Sequence, residues 1–375
     1  MKKVVIAIDS FKGCLPSVEA GKAAAEGIRS VYPECEVICL PIADGGEGML
    51  DVLIMATNGQ EVPISAHDPL MRWRNTYYGI SENGETAFIE MASISGLPLV
   101  PPERRNPMLT TTYGTGEIIR DALERGCRNF IIGIGGSATN DAGLGMLQAL
   151  GFRFSDKEGK EVGTGRGEVL IKVAHIDSTC VHPALNSCRF TVACDVQNPF
   201  YGPEGAAYVF APQKGADREM VEALDAGLQN FAEVIRHTTG KDISHHPGVG
   251  AAGGMGGSLL AFLNAELKPG IQLMLEALDF SNKIKSADLI IPGEGKADRQ
   301  TLMGKVPSGI LAEARKQNIP VILLAGNIED SDELQQAGFE GVFSVNPPFI
   351  SLEEAMRPEV ARKNIQQTVE SICKK

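Results

Sequence analysis

The chain has 375 residues, 43% hydrophobic and 22% charged, a globular balance that excludes a disordered chain and suits two domains. Its formal charge of -12 disfavours nucleic acid and anionic membrane surfaces as partners. Forty-two glycines against 6% aromatics point to tight backbone turns rather than stacking surfaces.

The opening run Val4-Val5-Ile6-Ala7-Ile8 reads as a strand buried on both faces and ends at Asp9, too short for a secretion signal. Pro16 suits the first turn of the next helix, whose inner stripe is Val18, Gly21, Ala25 and Ile28. Strand 36–42 then leads through Ala43-Asp44-Gly45-Gly46-Glu47-Gly48 into a helix carrying Leu50, Leu53 and Ile54. Between 61 and 91 the pattern alternates like antiparallel strands, with Asn83-Gly84 as a hairpin turn. Strand 129–134 enters a Gly-rich loop that opens a helix ending at Gly151, and Phe152-Arg153-Phe154 with Glu158-Gly159 reads as a second hairpin. Two long helices follow at 217–238 and 257–278, separated by Gly248–Gly257. The far end returns to strand–helix alternation: strands 288–292, 320–325 and 342–345, helices from 306 and at 331–337, and a last helix of roughly 20 residues.

Alternating βα units at both ends imply an α/β fold with a doubly wound parallel sheet. The expectation is one discontinuous domain, residues 1–72 plus 285–375, interrupted by an inserted mixed-sheet α/β domain at 73–284. No segment approaches the ~20 apolar residues of a spanning helix. The eight cysteines form no CxxC pair, so the expectation is reduced thiols in a cytoplasmic protein.

Standard phosphate motifs are mostly missing. No Gly-Lys pair is followed by Ser or Thr, so there is no P-loop of the GxxxxGK[ST] type. Gly133-Ile134-Gly135-Gly136-Ser137-Ala138 matches a dinucleotide fingerprint after a strand, but its acid would be Asp156, inside the second hairpin. A NAD-dependent hydroxyacid dehydrogenase is therefore an alternative reading, and a non-catalytic small-ligand sensor is another. His245-His246 lacks a third ligand and reads as a polar loop.

What remains is a set of Gly-plus-acid loops at strand ends: Asp9-Ser10-Phe11-Lys12-Gly13, Asp44-Gly45-Gly46-Glu47-Gly48, Gly135 through Asp141, Cys194-Asp195, and Gly293-Glu294-Gly295-Lys296-Ala297-Asp298. Any one of them is an ordinary cap or turn. Together they lie where open α/β sheets bind ligands, with glycines for close phosphate approach and carboxylates that call for a divalent metal. Lys12, Lys214 and Lys305 stand in or beside Gly-rich turns.

These stretches, with Asn106-Pro107, Thr110-Thr111-Thr112-Tyr113-Gly114-Thr115-Gly116, Asn198-Pro199, Pro212-Gln213-Lys214-Gly215, Ala251-Ala252-Gly253-Gly254 and Gln300-Thr301 with Gly304-Lys305, occur in an order that resembles the type-1 glycerate kinases across nearly the whole chain. Ile8 stands where that family usually has Pro, Pro292 where Thr is common, and Lys296-Ala297 where Arg-Ile is frequent. The resemblance implies ATP- and Mg²⁺-dependent phosphorylation of D-glycerate, usually to 2-phosphoglycerate, in a cleft between two α/β domains. On that basis Asp44, Lys12 and Lys305 are the catalytic candidates, and Asp9, Ser10, Gly45, Gly46 and Glu47 the substrate-binding ones. Gly135, Gly136, Ser137, Thr139, Asn140, Asp141 and Lys214 are assigned to the nucleotide, and Asp195, Glu294 and Asp298 to Mg²⁺. The partners implied are glycerate and a nucleotide, without nucleic acid or membrane; a homo-oligomer is compatible with the sequence.

Overall fold

The computed structural model describes residues 1–43, 46 and 48–374. Among them the strands are β1 (Lys3–Ile8), β2 (Glu36–Cys39), β3 (Gln60–His67), β4 (Trp73–Ile80), β5 (Thr86–Glu90), β6 (Asn129–Gly133), β7 (Arg153–Ser155), β8 (His175–Asp177), β9 (Arg189–Ala193), β10 (Glu266–Lys268), β11 (Leu289–Ala297), β12 (Ile322–Ile328) and β13 (Gly341–Ser344). By internal packing the chain divides into two compact units, residues 1–44 with 271–375 and residues 45–270.

The first unit is built on a five-stranded parallel sheet of order β13-β12-β11-β1-β2. Counted along the chain this is 2-1-3-4-5, a common doubly wound order whose direction reverses between β1 and β11. Val4 through Ile8 are at most 1% exposed, as the unbroken apolar run requires of a strand covered on both faces. One cover is the helix Ser17–Val31 lying against the helix Pro358–Cys373. Gly27 makes that approach feasible, because a Cβ there would sit 2.5 Å from the Gln366 carbonyl oxygen.

The second unit carries a six-stranded mixed sheet, order β10-β9-β6-β5-β4-β3, in which β10, β9, β6 and β5 run parallel and β4 and β3 antiparallel. The turn between β4 and β5 uses Gly84 at φ 74, as the Asn-Gly pair demands. Phe130 and Phe190 stack at 4.6 Å between ring centroids, inside one continuous core. The β7–β8 pair forms a separate two-stranded sheet.

Four expectations need correction. The boundaries fall at 44/45 and 270/271 rather than 72/73 and 284/285. The helix Met49–Ala56 packs on β4 and β5, with Ile54 filling the space that a side chain at Gly79 would take. At the other boundary Ile271 does the same at Gly309. The expected helix over 257–278 is broken: Met255–Leu263 ends at Asn264 with φ 49, β10 pairs with β9, and a new helix, Gly270–Ala277, starts after Pro269. A proline there lacks the N–H and the ring clearance that a continuous helix needs. β11 does not stop at 292 but runs to Ala297, because Gly293, Glu294, Lys296 and Ala297 pair with β12. Finally, the last helix is split into Leu352–Ala355 and Pro358–Cys373, the second starting on a proline.

All eight cysteines are free thiols. Among the described residues no helix is long and apolar enough to cross a membrane.

Candidate active site

In the first unit the direction reversal brings the end of β1 beside β11, and the Asp9 amide donates to the Gly293 carbonyl at 2.9 Å. Two carboxylates, Asp9 and Glu294, are thereby buried where the paired inner strands β1 and β11 run on from Ile8 and Gly293, each 8% exposed. The Asp9 Oδ1 accepts from the Ser10 amide at 2.6 Å, and the Glu294 Oε1 accepts from the Thr301 hydroxyl at 2.5 Å. Burial pushes the Glu294 carboxyl up to about 7. Thr301 and Lys305 draw it back down, while Asp9 and Asp298 push it further up. Those opposing influences put all four partners within electrostatic reach of Glu294.

Asp298 has a local task as well. It caps the turn Arg299–Leu302, accepting from the Gln300 amide at 2.8 Å, with Lys296 3.4 Å away. Against the desolvation that opposes it, the Gln300 amide and the lysines hold its carboxyl below the usual value. Asp9, Ser10, Lys12, Glu294 and Lys305 all line one cavity of about 830 Å³. These five expected residues are thus brought together, with Asp298 reaching Glu294 electrostatically.

The second unit treats its expected residues differently. Gly135 and Gly136 form an exposed loop tip after β6, Gly136 at φ 71. Beneath the tip Asp141 is 0% exposed and accepts from the Thr112 amide and hydroxyl at 2.8 Å each, and from the Gly143 and Gly145 amides at 3.1 and 3.2 Å. Burial pushes its carboxyl up and these donors pull it down. Lys214, 3% exposed, donates to the Ser137 hydroxyl at 2.8 Å and the Thr139 carbonyl at 2.7 Å. Desolvation lowers the Lys214 ammonium to about 7, with Asp141 opposing. Ser137, Asp141 and Lys214 therefore brace the loop from below. The Thr139 hydroxyl and both polar atoms of the Asn140 side chain are buried with no hydrogen-bond partner among the described residues.

The dinucleotide fingerprint fails here. The next helix starts only at Leu144, so the glycines do not open a helix or receive its N-terminal field. Asp156 is occupied in its turn, accepting from the Glu158 and Lys160 amides.

Asp195 is exposed just past β9, and its Oδ1 accepts from the Gly270 amide at 2.7 Å. Among the described residues no group of three or more His, Cys, Asp or Glu could by itself hold a metal ion. Asp44, Gly45 and Glu47 lie outside the described residues; Gly46 is half-buried and its carbonyl accepts from the Met49 amide at 3.2 Å.

A family model described as the glycerate kinase family matches residues 4–375. The chain belongs to that family. A glycerate kinase of Bacillus subtilis (strain 168) is 45% identical over 372 residues, covering 99% of this chain and 97% of the relative. A glycerate 2-kinase of Escherichia coli (strain K12) is 47% identical over 356 residues, covering 95% and 93%. A crystallised chain of Salmonella typhimurium LT2, assigned as a glycerate kinase 2, is 44% identical and superposes with a TM-score of 0.91 over 100% of this chain and 97% of its own. Membership in this kinase family makes the chain a phosphotransferase and removes the dehydrogenase alternative.

Sequence reasoning gave no role to two features of the candidate site. Thr301 is 0% exposed and supplies the hydrogen bond to Glu294. Another wall of the cavity comes from Gly326 and Asn327, in the last part of β12, and from lining residues between Ser344, the end of β13, and Met356. The available signal was positional: both segments lie at the carboxyl ends of parallel strands.

Proposed function

We propose that this chain transfers the γ-phosphoryl group of ATP, with Mg²⁺, to the C2 hydroxyl of D-glycerate, giving ADP and 2-phosphoglycerate. The observation that carries this reading is the cluster at the direction reversal of the first unit's sheet. Two lysines and two buried carboxylates share one cavity where doubly wound sheets take ligands. The name of the Escherichia coli relative, a glycerate 2-kinase, supports the choice of hydroxyl.

Phosphoryl transfer asks a protein mainly for positioning and charge neutralisation. Lys12 and Lys305 meet the anionic oxygens of the phosphoryl group or the glycerate carboxylate. The donor set suits Mg²⁺: Glu294 and Asp298 offer hard oxygens without forming a full protein cage, and magnesium typically takes one or two carboxylates beside phosphate oxygens and water. Bound there, the metal would neutralise charge on the transferred group. Thr301 keeps the Glu294 carboxylate oriented. Within the second unit, the exposed Asp195 is a candidate metal ligand in its own right. In that unit the exposed tip Gly135-Gly136 presents backbone to anionic oxygens, on a base that Lys214 and Asp141 hold rigid. Asn140 and Thr139 contribute the polar atoms left without protein partners.

The test is ADP release with D-glycerate against glycerol, each with and without Mg²⁺. D-glycerate should support Mg²⁺-dependent turnover, and glycerol, which lacks the carboxylate, should support little. Equal rates on the two would remove the substrate assignment.

A further inference from the structure

Two of the candidate metal-binding carboxylates, Glu294 and Asp298, are tied to one short turn. The Thr301 hydroxyl donates to the Glu294 Oε1 at 2.5 Å, and the Gln300 amide donates to the Asp298 Oδ1 at 2.8 Å. Each carboxylate therefore has one oxygen engaged by the turn Arg299–Leu302. The Thr301 hydroxyl has no choice of direction. Its oxygen accepts from the Asp298 amide at 3.0 Å, so its single proton needs a separate acceptor, and the Glu294 carboxylate is the one in reach. Thr301 is 0% exposed, so solvent offers no alternative. Its own amide bonds to the Asp298 carbonyl at 2.9 Å and holds the residue in place. Among the described residues no donor is bonded to the second oxygen, Glu294 Oε2, and Asp298 Oδ2 faces the half-exposed Lys296 at 3.4 Å.

Carboxylates that offer one oxygen each do not suit all divalent cations equally. Mg²⁺ demands near-octahedral geometry and keeps several waters beside one or two carboxylates. Ca²⁺ takes about six to eight oxygens and often gathers them through carboxylates that give both of theirs. We propose that Thr301 sets the metal specificity of this site: by holding Glu294 Oε1 it restricts Glu294 to its other oxygen and so favours Mg²⁺ over Ca²⁺. The inference rests on the Mg²⁺-dependent phosphotransfer proposed above and deepens it. Thr301 acts through Glu294, as a positioning residue. Removing a partner that orients a metal ligand typically costs about 10–100-fold in metal affinity. Here the loss falls on the cation that gains most from the restriction.

Calorimetric titration of ADP into the full-length chain and three variants, once in Mg²⁺ and once in Ca²⁺, tests it. The parent should bind ADP more tightly with Mg²⁺. Thr301→Ser keeps the hydroxyl and both of its hydrogen bonds, so its ratio of the two affinities should match the parent. Thr301→Ala and Thr301→Val release Glu294 Oε1, and the ratio should fall about tenfold or more, chiefly through weaker binding with Mg²⁺. The metals' own preferences for ADP cancel when proteins are compared. Thermal melts show which variants fold, and alanine accompanies valine because it adds no methyl to a buried position. An unchanged ratio in a folded alanine or valine variant, or equal losses with both metals, would overturn the proposal. So would a parent that binds ADP equally well with the two metals, whatever the variants do. These results leave the kinase reading intact. ADP affinity unaltered by excess EDTA would instead overturn the metal assignment beneath the proposal, and no ADP binding by the parent would overturn the ATP-dependent reading itself.

Discussion

Glu294→Gln is expected to lower kcat/KM for D-glycerate by about 10²–10³-fold, the scale of a lost transition-state charge stabiliser. The same substitution should raise stability at neutral and alkaline pH. The reason is the carboxyl's position in the protein: burial pushes it up to about 7, from the ordinary 4.5. Between those two values the folded chain keeps a proton that the unfolded chain has released, so this group makes stability fall as pH rises through the window. Above about pH 7 the accumulated penalty is constant, of order 3 kcal/mol. Glutamine carries no such penalty and can still accept the Thr301 hydrogen bond. Urea unfolding of both proteins at pH 5 and pH 8 reads the effect: the variant should gain on the parent between the two. In the parent, kcat/KM should fall below about pH 7 as Glu294 takes up its proton, and the variant should lack that limb. A variant as active as the parent would leave Glu294 a buried structural acid.

Lys305→Met should cost about a hundredfold in kcat/KM, roughly 3 kcal/mol of lost electrostatic stabilisation. Lys305 is the first residue before the helix Val306–Lys316, and its carbonyl accepts from the Gly309 amide and the Ser308 hydroxyl. Those backbone contacts survive the substitution, so the melting temperature should change little. The side chain's charge is one of the two influences that draw the Glu294 carboxyl down. Removing it should therefore move the acid limb of the pH profile upward, an effect that a purely structural lysine would not have. Paired pH–rate profiles check both parts. Unchanged kinetics would return Lys305 to the solvated surface.

The first-unit cluster of candidate residues was legible because its residues follow short signals at strand ends. An apolar run ending in Asp9 fixes both the strand and the place where its carboxylate emerges. Glu294 was singled out as a candidate metal ligand and misread as a loop residue. Gly-Glu-Gly-Lys has turn composition, yet β12 pairs alongside and keeps it extended; Gly326, where a Cβ would fall 2.6 Å from the Gly295 carbonyl oxygen, permits the close strand approach. Tertiary pairing outweighs strand propensity in such cases. Asp141 misleads in the other direction. An acid at the end of a Gly-rich loop has the composition of a ligand contact, but two of the four donors that surround it come from Thr112, 29 residues earlier in the chain. Lys214 is equally non-local, its contacts lying 77 and 75 residues away. The apolar residues of the cavity wall were illegible for a third reason: overall composition is uninformative about which residues meet at one cavity. Pro347, Pro348 and Ile350 have no periodicity, and only the ends of β12 and β13 give them a place.

The measurement that bears most directly on the central claim is proton-coupled ³¹P NMR of a reaction containing the protein, ATP, Mg²⁺ and D-glycerate. Transfer to the C2 hydroxyl gives ADP and a phosphate ester coupled to the single proton on that carbon, a doublet. A triplet, from an ester on the CH₂ carbon, would contradict the choice of hydroxyl, and the absence of any new ester with ATP intact would contradict the kinase assignment itself.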